Sequence, residues 1–234
     1  ALAGGNAGTS SLTFAAGGLP MSTATEEFTA AQITDTIENN GQTFYRSDTG
    51  DMKVSLTQFG TGSWATGGAL NVAKGSSGGA GIQTASLIFG GQHATAIVNE
   101  TESYNGTSWT ELNNLNTARH TLSGFGTQTA AIAAAGRSAN SPANYVDVVE
   151  SWNGTAWTEI AEVNTARFAL NGGGITTAGI VFGGGKSPGD AKANETELWN
   201  GTAWTETANL NTARYYLAGV GISSTAILAI AGQT

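Results

Sequence analysis

Hydrophobic residues in this chain occur in short runs that are separated by polar stretches rich in Gly, Thr, Ser and Asn. No apolar stripe with a period of about 3.6 residues persists, so the pattern does not predict helices. Asn153-Gly154 between two such runs is a strong hairpin signal, and a polar loop is expected at Arg137–Asn144. One stretch of the pattern therefore predicts four strands, at His120–Gly126, Gln128–Gly136, Tyr145–Trp152 and Trp157–Ile160.

The chain repeats itself with a nearly fixed period. A phrase of the form Asn-Gly-Thr-(Ser/Ala)-Trp-Thr-Glu is followed each time by Asn-Thr-Ala-Arg, and the closing arginines are 48 and then 47 residues apart. Such a period indicates a repeat architecture, and four short strands per period are typical of a β-propeller blade. The phrase occurs at Asn105–Glu111, Asn153–Glu159 and Asn200–Glu206, and the arginines are Arg119, Arg167 and Arg214.

The second strand of the unit recurs five times and is dominated by small residues. Small side chains allow close backbone approach, so we expect these strands nearest the propeller axis and the aromatic third and fourth strands farther out. The five copies are Ser10–Gly18, Ile82–Gly91, Gln128–Gly136, Thr176–Gly184 and Ser224–Gly232.

The order of residues in the unit resembles the kelch repeat. In one unit the matching positions are Arg119, Ala135-Gly136, Glu150-Ser151-Trp152-Asn153 and Trp157; the preceding unit has Lys74 in place of the Arg. The full phrase is similar to kelch-like proteins encoded by tailed bacteriophages of marine bacteria. This resemblance covers most of the 234 residues. It implies an all-β, kelch-type propeller with five recognisable repeats of about 47 residues and an incomplete last blade.

Two regions depart from the period. Additional residues within Ala30–Gly62 include a predicted hairpin, Gln42–Arg46 with Met52–Thr57, which is either a degenerate sixth blade, the interpretation we favour, or a flap on the rim. The last unit stops after its second strand. We therefore expect residues 1–234 to form one propeller domain of a longer polypeptide or of an oligomer.

Charge and composition narrow the possible partners and chemistry. The net charge of −8 argues against nucleic acid as a partner, and no apolar run is long enough to predict membrane insertion. There is no Cys, and neither a His pair at metal spacing nor a nucleophile elbow or phosphate loop is present. The sequence therefore predicts no cofactor and no enzymatic activity.

Charged and aromatic residues that recur in phase have two interpretations. They could form a ring of ligand-binding charges and a sugar-stacking platform, or they could be scaffold, with ion pairs and Trp packing at the joints between blades. We favour scaffold, because a residue present in every blade serves the joint that every blade shares. These positions are Arg119, Arg167, Arg214, Glu102, Glu150, Glu197, Trp64, Trp109, Trp157 and Trp204.

The loops between the second and third strands differ most between units, and variable loops on a rigid scaffold often carry recognition. They span Gln92–Asn99, Arg137–Asn144 and Gly185–Asn194. Our candidate binding residues are Arg137, Asn140, Tyr145, Lys186 and Asp190. Five Asn-x-Thr sequons also allow glycosylation, although in three of them Asn-Gly has a role in the turn.

The resemblance implies a non-enzymatic virion protein of the tail, fibre or head decoration. Its expected partners are other virion proteins or copies of itself, and host surface polysaccharide is the candidate ligand. A glycan-active propeller enzyme and a secreted bacterial cell-surface adhesin are the alternatives. The enzyme would need two or three carboxylates converging on one face.

Overall fold

The computed structural model describes residues 63–94, 96–140 and 143–234, together with five short strands nearer the N-terminus. No helix occurs among these residues, and the fold is all-β, as the sequence predicts. The N-terminal strands are β1 (Ala3–Gly4), β2 (Leu12–Ala16), β3 (Thr25–Thr29), β4 (Thr43–Arg46) and β5 (Asp51–Val54).

The remaining strands follow one another at short intervals. The first group is β6 (Ser63–Thr66), β7 (Gly78–Ile82), β8 (Ala85–Phe89), β9 (Gln92–His93), β10 (Ala96–Ile97), β11 (Thr101–Tyr104) and β12 (Trp109–Leu112). The second is β13 (Ser123–Gly126), β14 (Ala131–Asn140), β15 (Ala143–Trp152) and β16 (Trp157–Ile160). The third is β17 (Asn171–Ile175), β18 (Ala178–Phe182), β19 (Gly185–Lys186), β20 (Ala191–Lys192), β21 (Thr196–Trp199), β22 (Trp204–Glu206), β23 (Ala218–Ser223) and β24 (Ala226–Ile230).

Each repeat forms an antiparallel sheet whose strands pair in chain order. Sheet I contains β1, β2, β3 and β6, sheet II β7, β8, β11 and β12, sheet III β13 to β16, and sheet IV β17, β18, β21 and β22. Sheet V is described as the pair β23–β24. The predicted hairpin in the Ala30–Gly62 segment is present as β4–β5, a separate two-stranded sheet inserted between β3 and β6, which pair directly with each other. The rest of that segment lies outside the described residues.

The loops between second and third strands are hairpins rather than irregular coil. β9–β10 and β19–β20 form two-stranded sheets of their own. In sheet III the prediction of a loop at Arg137–Asn144 was wrong, because β14 and β15 continue their pairing through Asn140 and Ala143. The variable segments are therefore held by backbone hydrogen bonds and project from ordered strands.

Neighbouring sheets meet mainly through their first strands, β7, β13, β17 and β23, and not through the second strands as expected from residue size. The first strands are rich in Gly for this reason. A Cβ added at Gly124 would lie 2.6 Å from the backbone nitrogen of Gly79 in the adjacent sheet. Close backbone approach between sheets therefore excludes side chains here.

Two series of backbone hydrogen bonds join one sheet to the next. The nitrogens of Thr121, Ala169 and Tyr216 donate to the carbonyls of Ser76, Thr121 and Ala169 in the preceding repeat, at 2.7–2.9 Å. In the opposite direction Gly91, Gly136 and Gly184 donate to the carbonyls of Arg119, Arg167 and Arg214, also at 2.8–2.9 Å. The same two hydrogen bonds recur at each joint between these sheets, and they fix the orientation of each sheet relative to its neighbour.

The Asn-Gly turn closes a four-residue loop, the length implied by the predicted strands Tyr145–Trp152 and Trp157–Ile160. Tyr104 pairs with Trp109, so the loop has four residues, and only Gly106 has positive φ, at 91°. The Asn105 side-chain oxygen accepts hydrogen bonds from the nitrogens of Thr107 and Ser108, both at 2.9 Å. Asn is thus used for its side-chain oxygen, a known turn role, and Gly for its φ.

Candidate functional site

The in-phase charges form one buried ion pair in each of sheets II, III and IV. Lys74, Arg119 and Arg167 contact Glu102, Glu150 and Glu197 at 2.9, 3.2 and 2.5 Å. In every case the second carboxylate oxygen accepts from both the backbone and the side-chain nitrogen of an Asn in the linker that precedes the sheet, at 2.7–2.9 Å. The three Asn are Asn71, Asn116 and Asn164.

Burial sets the electrostatics of these pairs. Burial lowers the pKa of Arg119 to about 10, against the opposing effect of Glu150, and burial likewise lowers the pKa of Arg167. With a pKa of about 10, Arg119 remains protonated at neutral pH. Glu102, Glu150 and Glu197 are fully buried, so their carboxylates are not accessible to a ligand in solution. Through the ion pair and the Asn hydrogen bonds, each carboxylate connects the linker to the third strand of its sheet.

Arg214 occupies the same place in sheet V but has different partners. Its guanidinium donates to the carbonyls of Ala231 at 2.9 Å and Thr212 at 3.3 Å, and its surroundings are exposed. No acidic partner of Arg214 occurs among the described residues.

The recurring Trp residues pack between sheets. Trp157 at the start of β16 lies edge-on to Phe89 of sheet II, with ring centroids 4.7 Å apart, and donates to the Thr101 hydroxyl at 3.0 Å. Trp204 at the start of β22 is 7 % exposed and belongs to a buried cluster that includes Phe125 and Ile132 of sheet III. Trp109 is also buried, whereas the side chain of Trp64 lies outside the described residues. The buried Trp rings are not a platform open to sugars.

The variable candidates, in contrast, converge. Three of them, from two repeats, are in contact: Arg137 on β14, Tyr145 on β15 and Asp190 in the β19–β20 hairpin. The Oδ1 atom of Asp190 accepts short hydrogen bonds from both the Arg137 guanidinium and the Tyr145 hydroxyl. The guanidinium also lies over two rings, 3.5 Å from the centroid of Phe168 and 5.0 Å from that of Tyr145. Cation–π contact and an ion pair therefore fix Arg137 from both sides.

Aromatic residues extend this cluster into sheet V. Phe168 is fully buried and forms its base, with its centroid 5.4 Å from Tyr145, 5.8 Å from Tyr215 and 6.0 Å from Tyr216. The two adjacent Tyr rings are 4.9 Å apart, and Tyr216 is 47 % exposed. We refer to Arg137, Tyr145, Phe168, Asp190, Tyr215 and Tyr216 as the aromatic–acid cluster.

The titration of the cluster follows from its contacts. The hydrogen bond to Asp190 raises the pKa of Tyr145 above its ordinary value of 10.0. The bonds from Tyr145 and then Arg137 lower the pKa of Asp190 below 3.8. Burial raises the pKa of Tyr216. At neutral pH Asp190 is therefore a carboxylate, and Tyr145 and Tyr216 are neutral phenols.

The other two candidates lie beside the cluster without joining it. Lys186 on β19 forms an ion pair with Glu195. Burial raises the pKa of Glu195, but the hydrogen bond from Lys186, a backbone hydrogen bond and the charges of Lys186 and Arg167 together lower it below its ordinary value. Asn140 ends β14 and pairs with Ala143 across the hairpin, and its side chain lies outside the described residues.

Sequence reasoning missed Phe168, Tyr215 and Tyr216, although the sequence carries a signal for the first two. The residue after each recurring Arg or Lys is Gly75, His120, Phe168 or Tyr215. The first three pair through their backbones with Gln92, Arg137 and Gly185 at the start of their variable hairpins, and Tyr215 pairs with Gln233. This position differs in every repeat although it is flanked by recurring residues. Comparison of the repeats at this position would have identified it.

The chain matches no protein-family model, and no curated protein matches it either. Within the described residues no helix is long and apolar enough to cross a membrane. The same residues include no group of three or more His, Cys, Asp or Glu side chains placed to hold a metal ion.

Proposed function

We propose that this chain is a kelch-type β-propeller of a bacteriophage virion, whose five sheets are blades, and that it acts as a non-enzymatic structural and adhesion protein. The joints support the propeller: first strands meet, and two backbone hydrogen bonds recur between each pair of neighbouring sheets from II to V. This is the pattern expected when identical blades follow one another around an axis. The phage assignment rests on the resemblance of the repeated phrase.

One observation supports the adhesion role above the others. The recurring residues serve the scaffold, in buried ion pairs and in Trp packing between sheets. Variable residues from three repeats meet instead at the aromatic–acid cluster. Scaffold stability alone does not call for a different residue at the same position in every repeat. A cluster of this composition suits binding of a ligand such as host surface polysaccharide.

Localisation in the particle tests this proposal. Antibody raised against the purified protein should label intact virions of the phage that encodes it, and mass spectrometry of those virions should find it in many copies. A virion preparation without the protein would refute the virion role, and a gene placed beside a cell-wall anchor would favour the secreted adhesin.

The enzyme alternative has a separate test. The buried Glu102, Glu150 and Glu197 cannot reach a substrate, and a glycosidase needs a carboxylate pair at its site. The purified protein should release no reducing ends from a panel of polysaccharides. Release that depends on Asp190 would replace the adhesion proposal with a hydrolase.

A further inference from the structure

The structure divides the five Asn-x-Thr sequons into two kinds, and the first kind is used by the scaffold. Two sequons lie where a third strand begins. The Asn99 side-chain nitrogen donates to the Leu115 carbonyl at 2.9 Å, and that of Asn194 donates to the Leu210 carbonyl at 3.3 Å. The Thr of each of these sequons is buried. In the folded protein neither sequon presents its amide nitrogen or its hydroxyl to an enzyme.

The other three sequons form the tips of the hairpins between third and fourth strands. In each of them the Asn and the Thr two residues later are exposed. The Asn Oδ1 atom accepts hydrogen bonds from two backbone nitrogens of the turn, at 2.9 Å in all three. The Nδ2 atom, which carries the sugar in N-glycosylation, donates to no acceptor in the part of the chain that the structure describes. The three pairs are Asn105 with Thr107, Asn153 with Thr155 and Asn200 with Thr202.

The exposure of these tips does not arise from a missing neighbour. Asn105 belongs to sheet II, Asn153 to sheet III and Asn200 to sheet IV. Each of these sheets contacts another sheet on both sides. The tips remain exposed because they extend beyond the strands that pack at the joints.

The turn also prepares the amide for sugar transfer. Transfer forms a bond from Nδ2 to the anomeric carbon of an activated sugar, breaks the bond from that carbon to a phosphate leaving group, and passes one Nδ2 proton to a base of the transferase. An amide nitrogen is a poor nucleophile, because its lone pair is delocalised into the carbonyl. Two backbone donors stabilise negative charge on Oδ1, so the Nδ2 proton is easier to remove. The same two bonds fix the side chain before an enzyme binds, which lowers the ordering cost.

The three tips lie at the edge of their sheets opposite to the variable hairpins. Successive antiparallel strands turn at alternate edges, so the turns after the first and third strands share one edge. A Cβ added at Gly106 would lie 3.5 Å from the Thr84 carbonyl oxygen, in the turn between β7 and β8, which agrees with this placement. Sugars at the tips would therefore leave the variable hairpins and the aromatic–acid cluster uncovered.

We propose that Asn105, Asn153 and Asn200 are N-glycosylation sites of the folded protein and that Asn99 and Asn194 are not. The sugar donor is a nucleoside diphosphate sugar, and the transferase is an enzyme of the cell that makes the protein. The sites are 48 and 47 residues apart, so the sugars would recur once in each repeat. This modification is independent of the virion and adhesion roles proposed above.

Transfer of glucose from UDP-glucose by a soluble bacterial asparagine N-glucosyltransferase tests the sites, with peptide mapping by mass spectrometry. The folded protein should gain hexose at the three tip Asn residues only. Peptides from a protease digest should gain it at all five sequons, because only the fold protects Asn99 and Asn194. A folded protein that stays unmodified while its peptides accept glucose, or hexose on Asn99 or Asn194 of the folded protein, would overturn the proposal.

Two variants of one tip use the other two tips as internal controls. Thr155→Val removes the sequon hydroxyl, and Asn153→Asp keeps the oxygen that accepts the turn hydrogen bonds but removes Nδ2. Both should keep a native thermal midpoint and lose transfer at position 153, with transfer to Asn105 and Asn200 unchanged. Undiminished transfer to Asn153 in Thr155→Val would show that the sequon is not what the enzyme recognises and would refute the assignment.

The protein purified from the cells that naturally produce it shows whether the sites are used. Peptide mapping should find sugar on Asn105, Asn153 and Asn200. If these peptides are recovered without sugar, the sites are not modified in the cell, and the proposal fails whatever the transferase does in vitro.

Discussion

Replacing Glu197 by Gln should destabilise the protein strongly, because it leaves a buried positive charge without its counter-charge. Arg167 and Glu197 are both fully buried, and their side chains meet at 2.5 Å. The other Glu197 oxygen accepts from the backbone and side-chain nitrogens of Asn164 at 2.7 and 2.8 Å. Gln retains the volume but offers one acceptor instead of two charged ones.

The size of the effect follows from these contacts. Removing one partner of a buried ion pair costs about 3–5 kcal/mol. Arg167 keeps its bonds to the carbonyls of Gly183 and Glu195, so we expect about 3 kcal/mol for Glu197→Gln. Glu197→Ala should approach 5 kcal/mol, because both Asn164 donors then lose their acceptor as well.

Urea unfolding followed by Trp fluorescence measures the free energy of unfolding, and hydrogen exchange at the Asn164 amide reports the local bond. Glu162→Gln is the matched control: Glu162 is an exposed residue of the linker before sheet IV, and its change should cost less than about 0.5 kcal/mol. Combining Arg167→Met with Glu197→Gln should recover about 2 kcal/mol or more relative to the sum of the single changes. A Glu197→Gln cost below about 1 kcal/mol, as for exposed pairs, or simple additivity, would refute this account.

Three further outcomes are expected. Trp204→Ala should cost about 3–5 kcal/mol in urea unfolding, because a buried ring between sheets III and IV and its bond to the Ala161 carbonyl are lost; a cost similar to that of an exposed site would contradict the packing. Gly184→Ala should lower the thermal midpoint more than Gly183→Ala: Gly184 has φ 106°, a conformation that strains a side chain, whereas Gly183 has φ 64°, close to the 58° and 55° that Ala135 and Ala231 adopt at the equivalent position; equal shifts would be inconsistent with this. The Asp190 pKa is lowered below 3.8, so its contribution to holding the β19–β20 hairpin is fully present above about pH 4 and is lost as the pH falls through the folded-state pKa; a carboxyl ¹³C titration with a midpoint above 3.8 would disprove the contact.

Local chemistry explains what could be predicted from the repeats. Alternation and turn residues define strands within a few positions, so the four strands of sheet III and the hairpin β4–β5 were predicted with errors at their ends. The predicted loop Arg137–Asn144 was wrong because strand pairing continued through polar residues. The predicted hairpin at Asn153-Gly154 is confirmed, with strands that end and begin at Trp152 and Trp157 as predicted, and the Asn side-chain oxygen satisfies the loop.

The sequence by itself determined the period, the all-β class and the separation of recurring from variable residues, because each of these depends on residues close together or on comparison of one unit with the next. Only the tertiary structure decided which variable residues meet. Asp190 lies 53 residues from Arg137 and 45 from Tyr145, and Tyr216 joins them from a third repeat. Their contact depends on how successive sheets are rotated onto one another, which the backbone bonds at the joints fix. No local pattern encodes that rotation.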